Sequence, residues 1–283
     1  MPRTLRHFLD AIKFEHTVFA LPFAYVSMVL AAGGWPGARV VVWVTLAMAG
    51  ARTLAMSVNR LADRAIDAAN PRTAGRHLPT GLLRSSHMLA AAILSGALLA
   101  VSAWMLNPLC LKLAPVAALF LIGYSYTKRF TWASHWILGF TDGIAAAGGW
   151  IAVRGAFEPP VFVLWFALTV WIAGFDLIYA CQDVDFDRRT CLHSFPARFG
   201  IRAALACARL CHLLTVAAFV ALGVMTGLGW PYWVGVLAVA ALLVYEHSLV
   251  SADDLSRLDM AFFNVNGYIA VILFAAVLGG RLL

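Results

Sequence analysis

The chain has 283 residues, of which 62% are hydrophobic and only 12% are charged. A soluble domain carries about 25% charged residues, so this composition excludes a soluble protein and predicts a polytopic membrane protein. The net charge is +7, but the basic residues flank apolar segments and lack interleaved aromatic residues on which bases could stack, which argues against nucleic acid as a partner.

Nine apolar segments are long enough to cross the hydrocarbon core, which takes about 20 helical residues. They cover residues 14–34, 40–67, 86–106, 109–127, 134–153, 160–183, 201–226, 230–250 and 260–280. The predicted fold class is therefore all-α. No linker or compositional break divides the chain, so residues 1–283 are predicted to form a single transmembrane domain. The N-terminal residues lead into an apolar run without a small-residue cleavage site, which predicts a retained first helix.

The basic residues are distributed unevenly between the two sides of the membrane. When alternate loops are assigned to alternate sides, 16 of the 21 Lys and Arg residues fall on the side of the N-terminus. Cytoplasmic loops carry such an excess of Lys and Arg. The N-terminus and the polar ends of the second and sixth segments are therefore predicted to face the cytoplasm, and the expected location is a bacterial inner membrane.

The second apolar segment ends in polar residues with helical spacing. Asn59, Asp63 and Asp67 are each four residues apart and span about 80° of one helix face. Arg52 is seven residues before Asn59, on nearly the same face and about 10 Å deeper. A buried arginine in a membrane segment is costly and usually faces a polar cavity. Arg52 is either a salt-bridged structural residue or an anchor for a substrate carboxylate or phosphate.

Basic residues follow this cluster. The loop after Asp67 carries Arg72 and Arg76, which could meet an anionic group. After the fourth segment, Tyr124 and Lys128 are four residues apart and share a helix face. Tyr and Lys are common at membrane interfaces, so this second motif by itself indicates little.

The sixth apolar segment ends in a second acidic cluster. Asp176 and Asp183 differ by about 20° around a helix and Asp187 lies about 40° further, whereas Asp185 points nearly opposite. Clustered carboxylates repel one another unless a cation lies among them, and Mg²⁺ suits both oxygen ligands and phosphate. A single cluster would be read as a solvated helix end. Two clusters beside membrane segments favour two related halves that each contribute a metal-binding face to a common cavity.

Taken together, these motifs resemble the UbiA superfamily of intramembrane aromatic prenyltransferases. The motifs are Asn59-x3-Asp63-x3-Asp67, Asn70-Pro-Arg-Thr with Arg76-x-Leu-Pro-Thr-Gly81, Tyr124-x3-Lys128-Arg129, and Asp176-x6-Asp183-x3-Asp187. The likeness covers residues 8–267, with the motifs in the family's order and spacing. Segments 12–22 and 245–257 look like the 4-hydroxybenzoate polyprenyltransferase branch. Some members of that branch are thought to prenylate a dihydroxynaphthoate precursor of menaquinone.

The resemblance implies nine transmembrane helices around a central cavity, with a cytoplasmic cap and a lateral opening to lipid. It implies Mg²⁺-dependent transfer of a polyprenyl group from its diphosphate to an aromatic acid in quinone biosynthesis. The implied Mg²⁺ ligands are Asn59, Asp63, Asp67, Asp183 and Asp187, with Asp185 outside the set. The implied diphosphate-binding residues are Lys13, Arg72, Arg76, Lys128 and Arg129.

Catalytic roles are implied in the same way. Asp176 would orient or deprotonate the phenol, or would be another ligand of the metal or of water. Lys128 and Tyr124 would act at the reacting centre, and Arg52 would hold the acceptor carboxylate. The expected partners are polyprenyl diphosphate, the aromatic acid and the lipid bilayer, with no nucleic acid and no obligate protein partner.

Three alternatives compete with this interpretation. The same chemistry could act on the naphthoate or on a porphyrin-derived ring. CDP-alcohol phosphotransferases also use clustered aspartates, but Asp142-Gly143 is followed by Ile-Ala-Ala-Ala rather than by their Asp-Gly-x2-Ala-Arg motif. A transporter would place acids near mid-span, whereas these acids lie at the ends of apolar segments beside basic loops.

Overall fold

The computed structural model describes residues 3–282, apart from the side chains of residues 3, 4, 14–20 and 263. Within this range the chain forms helices and no β-strand, which confirms the all-α prediction. The α-helices are α1 (Arg3–Ala11), α2 (Phe14–Ala32), α3 (Ala38–Ala62), α4 (Arg64–Ala69), α5 (Ser85–Leu106), α6 (Pro108–Thr127), α7 (Ser134–Arg154), α8 (Pro159–Ala180), α9 (Val184–Arg189), α10 (Phe195–Phe199), α11 (Ile201–Thr226), α12 (Trp230–Ser248) and α13 (Asn266–Leu282). A 3₁₀ turn covers Cys181–Asp183, and a π-helical segment covers Met260–Val265.

Every predicted apolar segment coincides with a helix. Among the described residues, seven helical stretches are long and apolar enough to cross a membrane. They are Ala38–Ala62, Ser85–Leu106, Pro108–Thr127, Ser134–Arg154, Pro159–Arg189, Ile201–Thr226 and Met260–Leu282. In α2 the described apolar stretch, Leu21–Ala32, is shorter, and α12 is not among the seven. The protein is therefore an integral membrane protein, while the count of nine spans stays a prediction.

Three predicted segments are not continuous α-helices, and one of them, 260–280, begins in the π-helical segment Met260–Val265. The segment predicted over 40–67 ends as α3 at Ala62 and restarts as α4 at Arg64, with Asp63 at φ −92° and ψ 5° between them. The segment predicted over 160–183 ends as α8 at Ala180 and passes through the 3₁₀ turn. Residues in a 3₁₀ turn advance by about 120° rather than 100°. The three residues of this turn therefore rotate Asp183 by about 60° relative to a continuous α-helix and leave it about 40° from Asp176, on the same side.

The described chain divides into two compact units. The first comprises Met1–Leu21 and Ala38–Tyr126, and the second comprises Pro22–Gly37 and Thr127–Leu283. The first acidic cluster belongs to the first unit and the second cluster to the second. A single domain over residues 1–283 stays a prediction.

In the first unit, α3 packs along α5. Gly50 makes this close approach possible, because a Cβ atom at that position would lie 2.8 Å from the carbonyl oxygen of Ser95. Small residues at helix contacts let backbones approach closely in membrane proteins. The helix that carries Asn59 is therefore held firmly against its neighbour.

The end of α1 is tied to the acidic end of α3. Buried Ala11 and Ile12 pack with Leu78, Leu83 and Met88 in one small core. The buried Arg60 guanidinium donates from Nε to the carbonyl oxygen of Ala11 at 2.9 Å. This bond satisfies a carbonyl at the end of α1, where the last four carbonyls of a helix lack intrahelical partners.

The second unit has the larger core. Helix α8 packs against both α7 and α11, and α12 packs against α13. The buried apolar side chains of this core include Trp171, Phe219 and Tyr232. This packing gives α8, which carries Asp176, neighbours on two sides.

Candidate active site

The first acidic cluster lies where α3 gives way to α4. Asp63 and Asp67 are both buried. The amide N–H of Asp63 donates to the carbonyl of Asn59 at 2.9 Å, and that of Asp67 donates to the carbonyl of Asp63 at 2.7 Å. Asn59 Nδ2 also donates to Asp63 Oδ2 at 3.3 Å. Backbone hydrogen bonds to the fourth preceding residue thus continue through the break between α3 and α4. The structure also brings the side chains of Asn59 and Asp63 into contact.

The two oxygens of the Asp67 carboxylate have different surroundings. Oδ1 accepts a hydrogen bond from Arg76 Nη1 at 2.6 Å, in an ion pair. Oδ2 is buried and has no hydrogen-bond partner among the described residues. A buried carboxylate oxygen without a partner is costly, and a hard cation such as Mg²⁺ would satisfy it. The first cluster therefore fits a divalent cation.

The loop after α4 holds Arg76 in place. Thr73 Oγ1 donates to the carbonyl of Asp67 at 3.0 Å, and the amide N–H of Arg72 donates to Asn70 Oδ1 at 3.0 Å. Thr73 and Asn70 are buried, Arg76 is half-buried and Arg72 is exposed. Of the predicted diphosphate-binding residues, Arg76 therefore contacts an acidic residue of the cluster. Lys13 is exposed after α1.

Arg52 lies within α3 and is half-buried. Its Nε atom is buried and has no hydrogen-bond partner among the described residues. This finding disfavours a fully salt-bridged structural arginine, because a buried guanidinium N–H without a partner carries the cost of desolvation. An anionic group of a ligand would supply the missing acceptor.

The second acidic cluster spans three local geometries. Asp176 lies in α8, Asp183 at the end of the 3₁₀ turn and Asp187 in α9. Asp183 and Asp187 are half-buried, whereas Asp185 is exposed. The helical spacing had predicted that Asp185 points away from its neighbours, and its exposure agrees with that. The alternation persists because α9 restores α-helical geometry after the turn.

Asp176 is held by a buried histidine that the sequence analysis did not single out. His135 Nδ1 lies 2.7 Å from Asp176 Oδ2, and His135 Nε2 accepts a hydrogen bond from the amide N–H of Phe195 at 3.2 Å. The His135 side chain is 4% exposed and that of Asp176 is 23% exposed. The imidazole ring of His135, which lies in α7, thus connects α8 to the start of α10 within the second unit.

Asp187 is held from the same loop. Ser194 Oγ donates to Asp187 Oδ2 at 2.7 Å and accepts from the amide N–H of Ala197, so it also caps α10. Ser194 followed by Phe195-Pro196 is a recognisable helix start, since Ser is favoured at the N-cap and Pro in the first turn. That signal could have located Ser194. A lone histidine near the start of an apolar segment gives no comparable signal for His135.

The predicted basic motif lies around the end of α6. Tyr124 is half-buried within α6, and Lys128 and Arg129 are half-buried just after it. The carbonyl of Lys128 accepts a hydrogen bond from the amide N–H of His193 at 2.7 Å. In the second unit, the backbone at Lys128 is therefore bonded to the loop that also carries Ser194.

Over the described side chains, no three His, Cys, Asp or Glu residues lie close enough together to hold a metal ion by themselves. Mg²⁺ is usually bound by one or two carboxylates, with water and substrate phosphates completing its octahedral shell. Each cluster offers at least two carboxylates, which is enough for such a site. Among them, the buried Asp67 Oδ2 atom lacks a hydrogen-bond partner in the described structure.

Comparison with known proteins gives one consistent family. Residues 20–268 match the UbiA prenyltransferase family. The chain is 32% identical over 256 residues to the 4-hydroxybenzoate octaprenyltransferase of Vibrio cholerae, covering 89% of this chain and 88% of that protein.

Solved structures agree with this result. A UbiA homolog from Aeropyrum pernix, in its apo form, superposes with a TM-score of 0.86 at 32% identity, covering 93% of this chain and 97% of that one. A UbiA homolog from Archaeoglobus fulgidus, bound to DMAPP and Mg²⁺, shares the fold with a TM-score of 0.70 at 18% identity, covering 95% and 98% of the two chains. The chain therefore belongs to the UbiA prenyltransferase family and, with seven apolar helical stretches among its described residues, is an integral membrane prenyltransferase.

Proposed function

We propose that this protein transfers a polyprenyl group from polyprenyl diphosphate to an aromatic acid that carries a phenol, with 4-hydroxybenzoate as the expected acceptor. In this reaction the bond between the prenyl C1 and the diphosphate oxygen breaks, and C1 bonds to a ring carbon ortho to the phenol. The ring loses a proton and diphosphate departs. The acceptor is suggested by the name of the Vibrio cholerae relative.

The buried Asp67 carboxylate carries the proposal. One of its oxygens is paired with Arg76, and the other has no partner among the residues described. A cation is the natural occupant beside the second oxygen, and an anionic diphosphate is the natural ligand of that cation and of the neighbouring arginine.

Both acidic clusters would hold Mg²⁺. The ligands would be Asn59, Asp63 and Asp67 in the first unit, and Asp183 and Asp187 in the second. When bound, Mg²⁺ would neutralise the charge that develops on the diphosphate as the C–O bond breaks. Lys13, Arg72, Arg76, Lys128 and Arg129 would bind the diphosphate and stabilise it as it leaves.

Two groups would orient the acceptor. Arg52 would bind its carboxylate, since the buried Nε atom lacks an acceptor. Asp176 would accept the hydrogen bond of the phenol or remove its proton, and Tyr124 and Lys128 would act at the reacting centre. Apolar surroundings would keep water from quenching the allylic cation.

The distribution of basic residues supports a cytoplasmic position for the two acidic clusters, in a bacterial inner membrane. Diphosphates and aromatic acids are charged and water-soluble at one end, so access from the cytoplasm suits both substrates. The long polyprenyl tail would remain in the bilayer.

The test is to incubate the purified protein with Mg²⁺, a polyprenyl diphosphate, and either 4-hydroxybenzoate or the dihydroxynaphthoate, and to weigh the products. A prenylated hydroxybenzoate is the expected result. Product from the naphthoate alone would leave the prenyl chemistry intact and correct the acceptor. No prenylated product from any aromatic acid would overturn the proposal.

A further inference from the structure

We propose that His135 is a positioning residue for the reaction, which fixes the Asp176 carboxylate and couples it to the loop that holds Asp187. This inference rests on the proposed function, in which Asp176 acts on the acceptor phenol. His135 does not itself contact the proposed substrates; it acts through Asp176. All of the contacts that carry the inference lie within the second unit.

The hydrogen bonds define which nitrogen of His135 carries the proton. The amide N–H of Phe195 can only donate, so Nε2 accepts and is unprotonated. Nδ1 then carries the hydrogen and donates it to Asp176 Oδ2 across 2.7 Å. The ring is therefore neutral and presents a single N–H to the carboxylate. A charged ring would place its Nε2–H against the Phe195 N–H, donor against donor.

This arrangement restricts Asp176 without neutralising it. Asp176 receives a hydrogen bond rather than a full positive charge from His135, and its side chain keeps 23% of its surface exposed. A carboxylate in such surroundings is fixed in direction and still able to accept a proton or a phenol hydrogen bond. Because His135 is only 4% exposed, packing limits the movement of its ring.

The same loop joins Asp176 to the other acidic residue of the cluster. Phe195 N–H reaches Asp176 through His135, and the preceding residue, Ser194, donates to Asp187 Oδ2 at 2.7 Å. Ser194 and Phe195, at the start of α10, thus hold two carboxylates that are separated by a 3₁₀ turn in the chain. Without His135 the spacing between the acceptor side and the diphosphate side would be set less tightly, and reaction geometry is sensitive to small displacements.

Three variants test the inference in the full-length protein. His135→Ala removes the ring, His135→Leu keeps apolar volume without hydrogen bonds, and His135→Gln keeps one N–H donor and one carbonyl acceptor. His193→Gln is the matched control, because His193 is an exposed histidine in the same loop that bonds through its backbone amide. The probes are 4-hydroxybenzoate, a polyprenyl diphosphate and Mg²⁺, with kcat and both KM values measured.

We expect His135→Ala and His135→Leu to lower kcat by about 10- to 100-fold, the worth of one hydrogen bond to a charged group. The KM for polyprenyl diphosphate should stay within about twofold, since the diphosphate ligands are untouched. His135→Gln should recover kcat to within about threefold of the native protein, within the usual spread of hydrogen-bond energies, and His193→Gln should match the native protein.

Other results overturn the inference. A native kcat in His135→Leu, or equal losses in the Leu and Gln variants, would show that the hydrogen bonds to Asp176 and Phe195 do not matter. If the Ala and Leu variants fail to fold while the Gln variant folds, His135 maintains the fold and the positioning role is wrong. A native protein that prenylates no aromatic acid removes the proposed function and this inference together, whereas an active native protein with an unaffected Leu variant removes only the inference.

Discussion

Arg76 and Asp67 form an ion pair of 2.6 Å that engages one carboxylate oxygen and leaves the other, buried, without a hydrogen-bond partner among the described residues. The pair spans nine residues and brings the basic loop back onto the acidic helix. Arg76 thereby sets the direction of the Asp67 carboxylate before any cation binds. The proposed diphosphate-binding group and the proposed cation-binding oxygen therefore lie on two sides of one carboxylate.

Prenyl transfer is expected to require a divalent cation, because each cluster otherwise repels the diphosphate. Excess EDTA should abolish product formation, and added Mg²⁺ should restore it, as measured by mass analysis of the prenylated acid. Undiminished turnover in excess EDTA would sink this prediction.

The second cluster offers a matched comparison among three aspartates. Asp183→Asn and Asp187→Asn should each lower kcat by about 100-fold or more, since each change removes a negative charge that would bind Mg²⁺. Asp185→Asn should stay within about threefold of the native rate, because the Asp185 side chain is exposed. Membrane expression and Tm in detergent serve as folding controls. Equal losses at Asp183 and Asp185 would contradict the assignment.

Arg52→Ala should raise the KM for the aromatic acid far more than the KM for polyprenyl diphosphate. The expected loss is about 2–5 kcal/mol if the charge pair with the acceptor carboxylate is desolvated. An acceptor analogue without the carboxylate should lose little when the arginine is removed. If the variant instead loses affinity for diphosphate, Arg52 belongs to the leaving-group side.

Arg76→Gln should raise the KM for polyprenyl diphosphate by about 10- to 100-fold, because it removes a charge-assisted hydrogen bond. Arg76→Lys should be intermediate, since an ammonium keeps the charge but not the planar geometry. Arg84→Gln is the control, as Arg84 is an exposed arginine at the start of α5. Equal KM values in the Arg76 and Arg84 variants would remove Arg76 from the diphosphate site.

The contact between α3 and α5 can be tested with two glycines. Gly50→Ala should destabilise the protein by about 1–3 kcal/mol, because the new Cβ would lie 2.8 Å from the Ser95 carbonyl oxygen. At Gly96, in α5, a new Cβ atom would have no neighbouring atom within 4 Å. Gly96→Ala should therefore be neutral or slightly stabilising. Thermal unfolding in detergent measures both. A Tm for Gly50→Ala at or above that of Gly96→Ala would show that the two helices separate easily.

Helix positions were largely predictable from sequence, because runs of apolar residues with membrane length leave the backbone no alternative to hydrogen bonding within the helix. The breaks were not. Asp63 and the turn at Cys181–Asp183 carry no Pro or Gly, so no local signal marks them. Because of the turn, the angle between Asp176 and Asp183 differs from that in a continuous α-helix, whereas the exposure of Asp185 agrees with its predicted direction.

The candidate site was predictable where it depends on charge in an apolar chain and hidden where it depends on tertiary contacts. Asp63, Asp67 and Arg52 stand out because charged groups are rare in membrane segments. His135 meets Asp176 only through the packing of α7 on α8, over 41 residues of chain. A sequence pattern has no means of showing such a pair without knowledge of which helices are neighbours.

The bond between Arg60 and the Ala11 carbonyl has an entropic consequence for substrate affinity. Ordering one residue of backbone costs about 1–2 kcal/mol. If the acidic segment were flexible, each residue that became ordered on binding would weaken diphosphate binding by that amount. Here the acidic end of α3 is already attached to α1, and α4 is attached to its loop through Thr73. Diphosphate bound there, as proposed, would therefore lose little of its binding free energy to ordering the site around it.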